Sequence, residues 1–247
     1  MSAMNIYIEE VIEMLEERSL EISRHLKFVK ELIDSKARFL AKSTEGQLSL
    51  ASEYEIERGL VKTLSASSYL LIYNLIESVM TDALDAVHKQ LKSDSLTFGD
   101  LSDNLQKICL KDFNKYATSS KTMSDFGHTT LNEALTWLGY SRFNHFNGNI
   151  DAKMIQGKAK TYGFEIAAHD KRFTDDGKFL SVIRDNRNRL SHGEVSFETC
   201  GQDAAIETLI ELHEKTKVYL KAVLEGINTF LMKQAYKKAV QNDLKTA

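Results

Sequence analysis

The sequence predicts an all-α fold: a bundle of long antiparallel helices carrying a smaller helical insertion. Proline is absent from all 247 residues, where average usage of about 5% would place roughly a dozen. Only 12 glycines accompany that absence, so residues that interrupt helices are scarce. Long stretches also repeat apolar residues at steps of three and four, the period of an amphipathic helix. With 43% hydrophobic and 27% charged residues, the chain has the balance of an ordinary globular protein. No composition shift marks a boundary, so residues 1–247 read as a single domain in which 117–176 form a helical and loop elaboration.

The elements follow in order. Ile8, Ile12, Leu15, Ser19, Ile22, Leu26, Val29 and Ile33 alternate in steps of four and three, the stripe of one long helix. Ser43 to Ser52 is polar, contains Gly46 and reads as a connector, and Ser52 and Glu55 stand at capping-box spacing before a second long helix. That helix carries Leu60, Leu64, Tyr69, Leu70, Tyr73, Ile76, Val79, Met80, Leu84 and Val87; its density of apolar residues from Leu70 to Ile76 places it centrally, and Asp94 to Asp103 breaks it. A third helix is expected over Leu105 to Tyr116, then a Ser/Thr-rich loop from Ala117 to Thr129. Thr130 and Glu133 form another capping box, opening a short helix that Gly139 stops. After the irregular stretch Tyr140 to Gly148, Asn149 is expected to cap a helix from Ile150 to Tyr162, and Asp176 one from Gly177 to Ser191. Gly193 and Gly201 bracket a turn, and Asp203 opens a terminal helix through Val240.

Several function classes are disfavoured. The formal net charge of -3 does not advertise nucleic-acid binding by bulk electrostatics, so any such binding is local. Cys109 and Cys200 lack metal-ligand spacing and read as buried thiols of a reducing compartment. Met1 to Glu10 shows no secretory pattern, and the apolar stretch Tyr69 to Ile76 is far shorter than the roughly 20 residues of a membrane span. A cytoplasmic protein without membrane contact is expected. No Gly-rich phosphate loop, GxSxG elbow or HExxH occurs, and no histidines pair at i, i+4; neither metal nor cofactor is expected. Asp175 and Asp176 read as a helix cap rather than as metal ligands, since successive residues point apart.

One segment concentrates polar chemistry. From Phe179 to Gly193, three arginines, two asparagines and His192 crowd the last turns of a helix whose apolar side is Phe179, Leu180, Ile183 and Leu190. Guanidinium forks match phosphate oxygens bidentately, and histidine is the side chain that ordinarily titrates near neutrality, as a general acid or base must. Gly193 supplies the left-handed residue that ends the helix at His192. The same composition also suits a solvated helix end with a C-terminal cap. Arg187 and His192 lie about 140° apart on an ideal helix, so they converge only where the helix unwinds at Ser191 or a cleft embraces its end. From His169 to His192, six basic residues stand against four acidic ones, a modest local surplus of positive charge. Tyr140, Phe143 and Phe146, beside Arg142, offer either a stacking surface or core.

The run Arg187-Asn188-Arg189-Leu190-Ser191-His192 resembles the Arg-x4-6-His motif of the HEPN superfamily, and its extension through Gly193, Ser196-Phe197 and Gly201 resembles the bacterial MAE-like branch. Ser68 to Glu77 is similar to the second-helix pattern of that branch, and Gly148 to Phe164 to its middle region. The likeness spans Tyr69 to Leu224, with Ser191 standing where alanine is frequent. The resemblance implies a dimerising helical bundle and a metal-independent endoribonuclease, a toxin or phage-defence effector that a cognate antitoxin or regulator protein would control. Arg187 and His192 would be the catalytic pair, Asn188 the polar neighbour and Glu77 the facing acid, with Arg184, Arg189 and Lys178 binding RNA. The alternative is a non-catalytic module that binds RNA, a nucleotide or a partner protein.

Overall fold

A computed structural model describes residues 4–44, 47–118, 130–142, 145, 146 and 148–239. Among them the chain forms nine α-helices and one two-stranded sheet: α1 (Ile6–Asp34), β1 (Phe39–Thr44), β2 (Gln47–Glu55), α2 (Arg58–Ser93), α3 (Asp103–Ala117), α4 (Leu131–Glu133), α5 (Ala152–Tyr162), α6 (Lys171–Thr174), α7 (Leu180–Ser191), α8 (Phe197–Gln202) and α9 (Ile206–Met232). The all-α class expected from the sequence is the observed one. Two compact units partition the chain: one takes Met1–Glu13, Val79–His169 and Leu220–Ala247, the other Met14–Ser78 and Asp170–Tyr219.

The first unit is built on the C-terminal part of α2, where Val79, Met80, Leu84, Val87 and Leu91 are fully buried, as the central position read from the sequence requires. α3 lies against α5 and against a π-helical turn, Ala134–Leu138. Gly139 follows that turn at a close approach to α3, where a Cβ would meet the Asp112 backbone at 2.2 Å. The Thr130–Glu133 capping box forms: the Thr130 N–H donates to Glu133 Oε2 at 3.0 Å and the Glu133 N–H to Thr130 Oγ1 at 3.3 Å. After α9 the chain is held by Tyr236, whose hydroxyl donates to Asp94 at 2.8 Å, and by Lys237, paired with Asp94 at 3.0 Å.

The second unit buries the stripe of α1 (Leu15, Ser19, Ile22, Leu26, Val29), Tyr69, Ile72, Tyr73, Leu75 and Ile76 of α2, and the apolar side of α7 (Leu180, Ile183, Leu190), whereas Leu71, within the expected central stretch of α2, is exposed. Within the α1 stripe, Leu32 replaces Ile33, which is 39% exposed. In the first unit, Val11 is buried where Ile12 was expected to be. Each replacement moves a stripe position one residue toward the N-terminus. Gly201 lets α8 lie against α2: a Cβ there would stand 1.8 Å from the Lys62 carbonyl oxygen.

Five boundaries depart from expectation. The connector Ser43–Ser52 is instead largely the hairpin β1–β2, paired antiparallel from Phe39↔Glu55 to Thr44↔Gln47 with a slip at Ala41/Lys42; Gly46 lies outside the described residues. The alternation Leu48, Leu50, Ser52, Tyr54 has strand period, and its serines disguised it. Ser52 and Glu55 therefore sit in β2, and α2 starts at Arg58. Asp151, not Asn149, caps α5: its carboxylate accepts the Met154 N–H at 2.8 Å. Asp176 does not cap α7. It sits at φ 52° in a 3₁₀ turn, Asp175–Gly177, while Gly177 at φ 85° stands outside helical geometry and delays α7 to Leu180. Finally, α8, capped by the Ser196 side chain that accepts the Thr199 N–H, occupies the expected turn, and α9 opens at Ile206 and ends at Met232; Val240 lies outside the described residues.

Candidate functional site

The helix end is built as a Schellman motif. The Gly193 N–H donates to Leu190 O at 3.2 Å and the Glu194 N–H to Arg189 O at 2.9 Å, with Gly193 at φ 70°. His192 is the C-cap residue, and its N–H donates to Asn188 O at 2.9 Å. The helix thus does not unwind at Ser191. His192 is exposed at the end of a helix whose dipole presents partial negative charge.

One turn earlier, Arg187 is held on three sides. Its guanidinium carbon lies 4.3 Å from the centroid of the Tyr73 ring, Nη1 donates to Asn188 Oδ1 at 2.9 Å, and Nη2 stands 3.7 Å from Glu77 Oε2. Tyr73 is fully buried, whereas the Arg187 and Glu77 side chains keep 23% and 36% of their exposure. A stacked, half-desolvated guanidinium is oriented at less entropic cost than a free one. Tyr73 and Glu77 are one turn apart on α2, so one helix face supplies both the platform and the acid.

The other sequence-predicted residues are placed differently. Arg184 pairs with its neighbour Asp185, Nε at 2.9 Å and Nη2 at 2.8 Å. Lys178 pairs with Asp175 at 3.1 Å with both side chains largely exposed, a contact of about 0–1 kcal/mol. Arg189 is exposed. Lys171 stands 3.7 Å from Asp176. The structure thus brings together Arg187, Asn188 and Glu77, sets His192 beyond them at the helix end, and balances Arg184 and Lys178 with adjacent acids. Tyr73 was missed as a site residue, since an aromatic at a core position of α2 reads as core; its i, i+4 spacing to Glu77 was the available signal.

A second concentration of titratable groups lies in the first unit. His88, 4% exposed, stacks on Tyr140 with ring centroids 3.9 Å apart. A carboxylate accepts, so Tyr140 donates its O–H to Asp85. His145 Nε2–H then donates to the Tyr140 oxygen at 3.4 Å, its Nδ1 accepts from Tyr162 at 3.4 Å, and the Tyr162 oxygen accepts from His88 Nε2–H at 3.0 Å. Both imidazoles are neutral in this order. Burial, with the nearby His145 and Lys158 adding to it, pulls His88 down to about 3; burial and then Lys158 pull His145 down to about 4. Burial likewise pushes the Tyr162 and Tyr140 phenols well above their ordinary value. Phe146 carries Lys158 Nζ 5.4 Å from its ring centroid, while Tyr140 is engaged in this chain; Phe143 lies outside the described residues. The Cys109 thiol, buried, is pushed up to about 11.

Among the described residues, no group of three or more His, Cys, Asp or Glu side chains is arranged to hold a metal ion, and no helix is long and apolar enough to cross a membrane. A family model described as MAE_28990-like HEPN matches residues 8–236. Comparison with curated proteins and with solved structures returned no match.

Proposed function

The chain belongs to the MAE_28990-like HEPN family, and on that premise we propose that it is a metal-independent endoribonuclease whose site is the end of α7. The observation that carries this reading is the bracing of Arg187 by Tyr73, Asn188 and Glu77, one turn before an exposed His192.

RNA carries its own nucleophile. The 2′-OH of one nucleotide attacks the adjacent phosphorus in line; the new P–O2′ bond forms as the P–O5′ bond breaks, leaving a 2′,3′-cyclic phosphate and a 5′-OH. The 2′ proton must leave and the departing O5′ must gain one. Arg187 opposes the charge developing on the non-bridging oxygens, and its stacked geometry fixes the fork before substrate arrives. His192 transfers a proton at one of the two oxygens.

A single imidazole does not reach both sides of one phosphorane, so the reading includes a homodimer in which the partner's His192 serves the opposite oxygen. The helix stays unbroken at Ser191, so Arg187 and His192 do not converge by unwinding within the chain. The substrate is a single-stranded or loop segment, whose bases can be splayed. The physiological role that fits is a toxin or phage-defence effector acting on RNA in the cytoplasm and held in check by an antitoxin or regulator protein.

The test is cleavage of labelled RNA by the purified protein in excess EDTA, repeated with the H192A and R187A variants and with folding checked by circular dichroism. Cleavage that persists in EDTA and disappears in both variants supports the reading. Wild-type protein that binds RNA in a salt-dependent manner and leaves it intact establishes the non-catalytic binding module instead.

A further inference from the structure

The hairpin of the second unit divides its charge between its strands. From Lys36 to Thr44 the sequence holds Lys36, Arg38 and Lys42 and no acid; from Gln47 to Glu57 it holds Glu53, Glu55 and Glu57 and no base. The paired strands attract each other, while each outer edge keeps one sign. Lys36 and Arg38 are exposed, and among the described residues neither makes an ion pair. At the base of the hairpin, apolar side chains are exposed on both faces. Leu40 and Tyr54, opposite each other in the register, are 51% and 59% exposed, and Phe39, on the other face, is 51% exposed. A two-stranded hairpin of this kind is marginal in water, and a further strand stabilises it.

The two edges differ. Ala41 and Lys42 are consecutive in β1, whereas their partners are Glu53 and Ser49, so Leu50, Ala51 and Ser52 are extra to the ladder on the β2 side. A bulge blunts an edge against further pairing; β1 keeps an unbroken run from Phe39 to Thr44. The Ile56 N–H donates to Arg38 O at 2.7 Å. Alternation along the strand therefore turns the N–H and C=O groups of Phe39, Ala41 and Ser43 away from β2, and among the described residues this sheet has no third strand to take them.

We propose that the outer edge of β1 takes up an acidic, extended segment of another protein as a third strand, its backbone paired with Phe39, Ala41 and Ser43 and its carboxylates set against Lys36 and Arg38. Main-chain pairing of this kind supplies affinity, and the charge of the edge supplies selectivity. β2, itself acidic, shows the chemistry that β1 accepts on its inner edge. A second copy of the chain fits less well. β1 against β1 sets like charges side by side, and β1 against β2 is a heterologous contact, which leads to rings or filaments rather than to a dimer. The proposal adds a protein partner to the reading above and stands whether or not the end of α7 cleaves RNA.

Two short labelled peptides, one alternating glutamate with valine and the other lysine with valine, test it by fluorescence anisotropy on the intact protein. The acidic peptide should bind about tenfold more tightly than the basic one, the ratio of attraction to repulsion at two exposed cations, and more weakly as salt is added. K36E/R38E should reverse the preference, and H192A should leave it unchanged. Amide hydrogen exchange followed by NMR should slow at Phe39, Ala41 and Ser43 when the acidic peptide binds, and not along β2. Equal binding of the two peptides, protection along β2 instead of β1, an unreversed preference in folded K36E/R38E protein, or no binding of the acidic peptide at millimolar concentration overturns the proposal. Two further results also overturn it. K36E/R38E protein that loses affinity for a labelled RNA and keeps that for the acidic peptide assigns the cations to nucleic acid. A wild-type assembly that sediments as smaller species once K36E/R38E is introduced assigns the edge to a second copy.

Discussion

His192 and His88 show what the same side chain becomes in two surroundings. His192 ends α7 in the open, five residues after an arginine whose guanidinium is oriented by a buried ring, an amide and a carboxylate. His88 is 4% exposed, stacked on Tyr140 and locked into an ordered chain of hydrogen bonds that runs to Asp85. The first is open to solvent, while the second is held neutral and contributes to the core. Histidine content therefore says little; access and the orientation of neighbours separate a reactive group from a structural one.

The largest effect should come from the exposed side of this contrast. Alanine at His192 or Arg187 is expected to lower RNA cleavage by about 10²–10³-fold, read as initial rates on a short labelled RNA, whereas H88F should retain cleavage once folded. Retention of full activity by H192A would erase the distinction.

The buried side should appear in acid. The folded-state values of His88 and His145, about 3 and 4, lie below the ordinary 6.5, so the unfolded chain binds protons that the folded chain refuses. Their contribution to stability is complete above pH 6.5 and is lost as pH falls through the interval down to about 4 and then 3. Each site changes stability by at most about 1.4 kcal/mol per pH unit in that window. Urea midpoints measured from pH 7 to pH 4 should decline, and H88F should flatten the decline.

A smaller effect separates ring from hydroxyl at Tyr73. Replacement by leucine removes the platform under Arg187 and should reduce cleavage by about tenfold, in keeping with a cation–π contact of roughly 0.5–2 kcal/mol; phenylalanine should retain most of the rate. The smallest expected effect is at Gly193, which has open space around it but a φ of 70°. Alanine there should cost about 1 kcal/mol by thermal denaturation, and cleavage should fall with it if the Schellman turn positions His192.

The long helices were legible because their apolar stripes are long and regular; α1, α3 and the start of α4 lie within two residues of expectation. The hairpin was not, because its strand alternation is written in serine and threonine, which also compose loops. Boundaries failed where a competing local feature decided them: the Asp151 cap rather than Asn149, a separate helix capped by Ser196 ahead of Asp203, and the positive φ of Gly177 rather than a cap at Asp176. At the site, Arg187, Asn188 and His192 were legible as one short run, and Glu77 through resemblance. The role of Tyr73 was hidden by its chemistry, since a buried ring serves the core and the guanidinium alike. The His–Tyr chain was hidden by topology: its members come from α2, the segment after α4, and α5, and no spacing within any one of them announces the others.

The end groups left on RNA measure the central claim most directly. In EDTA, wild-type protein should produce 2′,3′-cyclic phosphate and 5′-hydroxyl termini, and H192A should produce none above background. Products bearing 3′-hydroxyl and 5′-phosphate ends, or cyclic-phosphate products formed by H192A at the wild-type rate, would contradict it.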